Sequence, residues 1–154
     1  MNSINTEQQE LYQAPSSLPI KRVVKVDSKG RSHAVGRRKT SVAKVWIKPG
    51  NGNITVNDKK LEEYFSRPFY QNDIQKPFKA TGALFDVMGV AMGGGKSGQC
   101  GALRLAISRA IVNFNPDFYS DLRNMGLLTV DSRVVERKKC GLVKARKAKP
   151  TSRR

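Results

Sequence analysis

Leu84-Phe-Asp-Val-Met-Gly-Val-Ala-Met-Gly-Gly-Gly-Lys-Ser-Gly98 runs directly into Gln99-Cys-Gly-Ala-Leu-Arg-Leu-Ala-Ile-Ser-Arg-Ala-Ile-Val-Asn-Phe114. The first nine residues are apolar on both faces apart from Asp86, the pattern of a central strand covered on both sides. Six residues rich in glycine then separate it from a long helix. Leu103, Ile107, Ala110, Ile111 and Phe114 recur at helical spacing, with Arg104, Ser108 and Arg109 off that stripe. A strand, a tight turn and an amphipathic helix are thus expected in succession.

Upstream, Ser41 to Lys48 alternates. Ala43, Val45 and Ile47 point one way, and Val42, Lys44, Trp46 and Lys48 the other, giving a core face and a cationic face interrupted by an indole. Pro49-Gly-Asn-Gly52 is a turn, after which Asn53 to Asn57 is expected to return as a strand and close a hairpin. Asp58 is expected to cap a short helix from Lys59 to Ser66, carrying Leu61, Tyr64 and Phe65 on one side. Pro68 ends it. Phe69 to Gln75 reads as a further short helix or turn, and Lys76-Pro77 as an extended exit. Downstream, Asn115-Pro116 breaks the long helix. Asp117 to Met125 is a second helix stopped by Gly126, and short pairing is expected at Leu127–Val130 and Arg133–Val135.

The charge balance is extreme. Lys and Arg number 29 against 12 Asp and Glu, a formal +17 with a pI near 10.3. Such an excess opposes compaction by self-repulsion and favours a polyanionic partner. It is densest at the end, in Arg133, Arg137, Lys138, Lys139, Lys144, Arg146, Lys147, Lys149, Arg153 and Arg154, with Glu136 the only acid. After Val135 that segment has no stripe to bury, so it reads as an extended tail that orders against RNA phosphates; the bland alternative is a solvated charge run. No run of eighteen apolar residues and no strongly amphipathic basic helix argues for a membrane.

Met1 to Ile20 carries no Lys or Arg and has Glu7 and Glu10, which suits neither a secretory signal nor an Arg-rich transit peptide. The expected organisation is a flexible arm over 1–25, a globular domain over 26–132 and the basic tail over 133–154.

Candidate chemistry is sparse. Cys100 and Cys140 are far apart, and His33 is the single histidine, so neither a zinc site nor a disulfide framework is indicated and no cofactor is expected. No catalytic set emerges, and Asp86 reads as a strand-end or hydrogen-bonded residue. The Gly93–Gly98 loop is the sharpest motif. Backbone N–H groups at a helix start, with Lys96 and Ser97, suit an anion. An ATP-binding loop would need glycine at position 90, which is Val90, so a phosphotransferase or NTPase using Gly93–Ser97 stands as the alternative from another class, and a free RNA-binding regulator as a third. Arg37, Arg38 and Lys39, with Lys44 and Lys48, are expected to form a basic face with Trp46 as a stacking or covering ring.

Gly36-Arg-Arg-Lys-Thr40, Trp46-Ile-Lys-Pro-Gly-Asn-Gly52, Gly93-Gly-Gly-Lys-Ser-Gly-Gln99, Asp131-Ser-Arg-Val-Val-Glu-Arg-Lys-Lys139 and Lys144-Ala-Arg-Lys147 together resemble the small-subunit ribosomal protein nine family, bacterial and organellar type, from about Val26 to Arg154. The resemblance implies the α+β class and a two-layer α/β sandwich like the second domain of small-subunit protein five, with a left-handed βαβ crossover and a long extended basic C-terminal tail. It implies no enzymatic activity and no small-molecule substrate. Small-subunit rRNA in the subunit head, neighbouring head proteins and P-site tRNA are the implied partners. The rRNA contacts expected are Arg37, Arg38, Lys39, Lys44, Lys48, Lys96, Ser97, Arg104, Arg109, Arg133, Arg137, Lys138, Lys139, Lys144, Arg146, Lys147 and Lys149. Ser152, Arg153 and Arg154 inherit the tRNA contact by position. The family commonly ends Gln-Phe-Ser-Lys-Arg, whereas this chain ends Pro150-Thr-Ser-Arg-Arg154. Lys96 stands where related chains often have an apolar residue, so its phosphate role comes from the loop chemistry alone. The divergent tail and middle point to a mitochondrial matrix ahead of a bacterial cytoplasm.

Overall fold

The computed structural model describes residues 24–150. Residues 1–23, nearly all of the expected arm over 1–25, and residues 151–154, with the expected tRNA contacts Ser152, Arg153 and Arg154, lie outside them. Five strands, β1 (Ser32–Arg38), β2 (Ser41–Pro49), β3 (Ile54–Val56), β4 (Lys59–Lys60) and β5 (Phe85–Met92), form one mixed sheet in the order β1-β2-β5-β3-β4. The helices are α1 (Leu61–Tyr64), α2 (Pro68–Thr81), α3 (Lys96–Phe114) and α4 (Tyr119–Asn124), the last preceded by a 3-10 turn over Pro116–Phe118. The α+β class is as expected.

β2 and α3 follow their sequence patterns. Ala43, Val45 and Ile47 are buried, and Lys44 and Lys48 exposed. From α3, Leu103, Ile107, Ala110 and Ile111 reach the same core, and Phe114 packs against it. Ser108 is fully buried too, where the stripe left it outside; its hydroxyl donates to the Arg104 carbonyl at 2.8 Å, which satisfies it without an external partner.

The hairpin is a correction. β2 pairs with β1, not β3, joined by the two-residue turn Lys39-Thr40, and β5 enters between β2 and β3. β1 is hard to read because its inward residues are small: Ser32, Ala34 and Gly36. They are small because α3 lies against them. A Cβ on Gly36 would stand 2.1 Å from the Ala102 carbonyl oxygen and 2.7 Å from the Ala106 nitrogen. β3 instead runs parallel to β5, so the chain crosses over through β4, α1 and α2.

Asp58 caps nothing. Asn57 and Asp58 both have positive φ and make the tight turn between β3 and β4, while Lys60 precedes α1. Lys76-Pro77 is not an exit either. Helix α2 continues through Pro77 to Thr81 and stops at Gly82 in the left-handed conformation. Pro77 is fully buried, so packing outweighs the missing N–H. Residues 127–135 form no strand.

β5 is central but covered on one side only. Phe85, Val87 and Ala91 face α3; Met88, Val90 and Met92 are exposed at 56%, 38% and 55%. Its two-sided apolar pattern led to the expectation of two covering layers, and the described residues supply one. No helix among them is long and apolar enough to cross a membrane.

Candidate nucleic-acid interface

The basic residues fall into three groups. The first is the outer sheet face. Register places Arg37, Val42 and Met92 in one row, Val35, Lys44 and Val90 in the next, and His33, Trp46 and Met88 in a third. Arg37, Lys44 and Lys48 are exposed there, and the half-buried Trp46 ring lies 5.2 Å from that of His33. The carboxylate on this face, Asp86, is engaged by the turn that follows β2: its Oδ1 accepts the N–H groups of Asn51 at 3.0 Å and Asn53 at 3.1 Å. That is the hydrogen-bonded role its position suggested.

The second group surrounds the start of α3. Gly93 and Gly94 have positive φ, and a Cβ on Gly94 or Gly98 would lie 2.3 or 2.6 Å from the Ser41 hydroxyl. These glycines let the turn press on the β1–β2 hairpin. The Gly93 carbonyl accepts from Ser41 Oγ at 3.0 Å and Gln99 Nε2 at 3.1 Å. Close packing thus accounts for the glycines without a ligand. Ser97 is exposed beside them, and Lys96 Nζ sits 3.2 Å from the centre of the Tyr64 ring.

Arg104 and Arg109, both expected at RNA, have partners inside the globular part. Arg109 donates to the Val35 carbonyl at 3.1 Å, on the outer edge of β1. Arg104 holds Asp73 at 2.9 and 3.0 Å, and Lys76 adds a contact at 2.8 Å. Burial by itself would raise the Asp73 carboxyl, but the Lys76 hydrogen bond and the Arg104 charge outweigh it and hold it below the usual range. Cys100 packs against the same carboxylate. Burial, with that negative charge, pushes its thiol up to about 12, the opposite of an activated cysteine.

A depressed carboxylate adds stability above its unfolded pKa of about 3.9 and loses it as pH falls through the folded value. Asp73→Asn should therefore cost about 1–3 kcal/mol at neutral pH, and the gap to the parent should close as pH falls below about 4. Urea unfolding at pH 7 and pH 3 checks this; a gap no smaller at pH 3 than at pH 7 contradicts it.

The third group is the tail. Arg38 roots it: its NH2 meets Asp131 Oδ2 at 2.7 Å and its NH1 donates to the Arg133 carbonyl at 2.8 Å. Hydrogen bonds from the Arg133 side chain and N–H, with the Arg38 charge, hold the Asp131 carboxyl well below the usual range. In the sequence Asp131 stands only at the head of a basic motif, and its pairing with Arg38, far away in the chain, has no local signal and emerges only in the fold.

Beyond this root, residues 131–150 form no helix or strand and are mostly exposed. Glu136 draws in Lys139 at 3.0 Å and Arg146 at 2.7 Å, which bends the segment into a local loop where a fully extended path was expected. Arg137, Lys138, Lys144, Lys147 and Lys149 have no carboxylate partner among the described residues.

A one-sided α+β sandwich with a cation-rich, strand-free C-terminal segment defines a class of protein built to meet a polyanion. A family model described as Ribosomal protein S9/S16 matches residues 36–154, most of the chain, and the chain belongs to that family. It is a structural ribosomal protein of a generally non-enzymatic family, which implies small-subunit rRNA and the ribosome as its partners.

Proposed function

We propose that this chain binds rRNA in the head of the small ribosomal subunit and that Ser152, Arg153 and Arg154 reach P-site tRNA. One observation carries the reading. Arg137, Lys138, Lys144, Lys147 and Lys149 lie without carboxylate partners among the described residues, on a segment that there buries almost nothing and is rooted by Arg38 at Asp131 and Arg133. Such a segment lacks a core to order it, and condensed counterions released from RNA supply the missing free energy. The division into an arm over 1–25, a globular domain over 26–132 and a tail over 133–154 follows from this division of labour. So does a place beside other proteins of the head. The crossover from β3 to β5 we take to be the left-handed one of the small-subunit protein five likeness. The divergent C-terminal sequence favours a mitochondrial ribosome over a bacterial one.

The outer-face cations Arg37, Lys44 and Lys48, Lys39 on the hairpin turn, and Lys96 and Ser97 would add phosphate contacts, which position an RNA without reading its sequence. Arg104 and Arg109 contribute at most through donors left over from Asp73 and Val35.

Deleting Arg153 and Arg154 tests the tRNA part. Subunits carrying the shortened chain should assemble normally and bind P-site tRNA several-fold more weakly, since two charge-assisted contacts are lost. Filter binding of tRNA to such subunits checks it, and unchanged affinity would overturn it. Co-sedimentation tests the rRNA part: a full chain absent from small subunits would end the reading.

A further inference from the structure

The outer face of the sheet combines features that a merely solvated surface does not need. Met88, Val90 and Met92 form an exposed apolar row on β5. Beside it on β2, Lys44, Trp46 and Lys48 project at successive outward positions, about 7 Å apart. A ring is thus flanked on either side by a cation. At the Lys48 end a groove of about 290 Å³ opens, with Arg31, Trp46, Lys48, Thr55, Asp86 and Met88 among its lining residues. Arg31 brings a further guanidinium to that lining.

We propose that this face receives an unpaired stretch of RNA, with one base entering the groove against Trp46 and with Arg37, Lys44 and Lys48 on the adjoining phosphates. The proposal rests on the reading that the chain binds rRNA and specifies the structural state of the RNA it takes. Charge decides the class of occupant: the outward residues of β1, β2 and β5 carry three exposed cations, and the carboxylate among them, Asp86, already accepts two N–H groups. Apolar surface decides the strandedness. A duplex offers this face phosphates and hydroxyls and nothing for Trp46 or Met88, whereas unpaired bases offer π-faces.

Trp46 is the only tryptophan in the chain, so its emission reports on this face alone. Full-length protein is titrated with a labelled single-stranded RNA oligonucleotide and with an RNA duplex of equal length. Binding is read by anisotropy and the groove by Trp46 fluorescence. Single strands should quench Trp46 and duplexes should bind without doing so. Lys44→Gln with Lys48→Gln should lower the dependence of log affinity on log salt by about 1.4 for single strands. Trp46→Ala should weaken single-strand binding between about fivefold and a hundredfold, with Trp46→Phe recovering part of it. Circular dichroism identifies a variant that has failed to fold, and the lysine pair, exposed on the surface, stands in for it. RNA that binds with Trp46 emission unchanged and lysine variants at parental affinity overturns the proposal while leaving the ribosomal reading intact, the RNA then being held by the tail. Equal quenching by duplexes also overturns it, as does a Trp46 that responds only to a protein of the subunit head. No RNA binding by either readout would instead sink the reading beneath it.

Discussion

Replacing Gly36 by alanine is expected to lower the thermal unfolding midpoint by roughly 10 °C, the effect of about 3 kcal/mol in a chain of this size. The added methyl would meet the Ala102 carbonyl oxygen at 2.1 Å and the Ala106 nitrogen at 2.7 Å, both main-chain atoms of α3. A flexible side chain could swing away, but a helix whose residues Ala102, Leu103, Ala106, Ile107, Ala110 and Ile111 are all in the core has to move as a body. Moving it opens gaps beside Val45 and Ile47, so overpacking at one point becomes underpacking at others. Gly95→Ala is the control. That position caps α3 with an extended φ of −118° and nothing within 4 Å of a new Cβ, so only the poorer cap that alanine makes opposes the change and the midpoint should fall by about 2–4 °C. Calorimetry on the two variants checks the pair; a Gly36→Ala chain as stable as the Gly95→Ala chain would show that β1 and α3 are not pressed together.

Gly36 also shows why the sequence conveyed some elements and hid others. β2 and α3 announce themselves because a large apolar residue recurs at the period of the element, and one face of each is buried. β1 obeys the same period, yet its inward positions hold Ser32, Ala34 and Gly36, chosen for closeness to α3 and carrying almost no hydrophobic signal. Pro77 misled for the converse reason. A local rule against proline inside a helix was correct about backbone hydrogen bonding, but it gave no weight to the core that Ile74 and Pro77 fill from α2. The strand order follows the same lesson. Neighbours in sequence are the default pairing partners, and only the long-range insertion of β5 between β2 and β3 displaces them. The basic face on Lys44 and Lys48 was legible because alternation alone fixes which way they point. The commitments of Arg38, Arg104 and Arg109 were not, since each depends on a partner far away in the chain: Asp131, Asp73 and Val35.

Truncation after Glu136 should abolish most of the salt dependence of rRNA binding while leaving the fold untouched. The removed segment carries Arg137, Lys138, Lys139, Lys144, Arg146, Lys147, Lys149, Arg153 and Arg154 and no acid. If about six phosphate contacts form in all, roughly four of them from these residues, the full chain loses on the order of a thousandfold in affinity between about 50 and 200 mM salt. The truncated chain keeps only the contacts of the globular part, and its loss over the same range should be closer to tenfold. Its stability should match the parent's, because the buried residues end at Leu127 and the Arg38–Asp131 anchor precedes the cut. That separation of readouts gives the experiment its force: a domain destabilised by the deletion would lose affinity and midpoint together, whereas a tail that acts purely as a polycation changes the salt slope and nothing else. A truncated chain with the parental slope would mean that the phosphates are held by the sheet face and the α3 start, and that the tail's charge serves some other end.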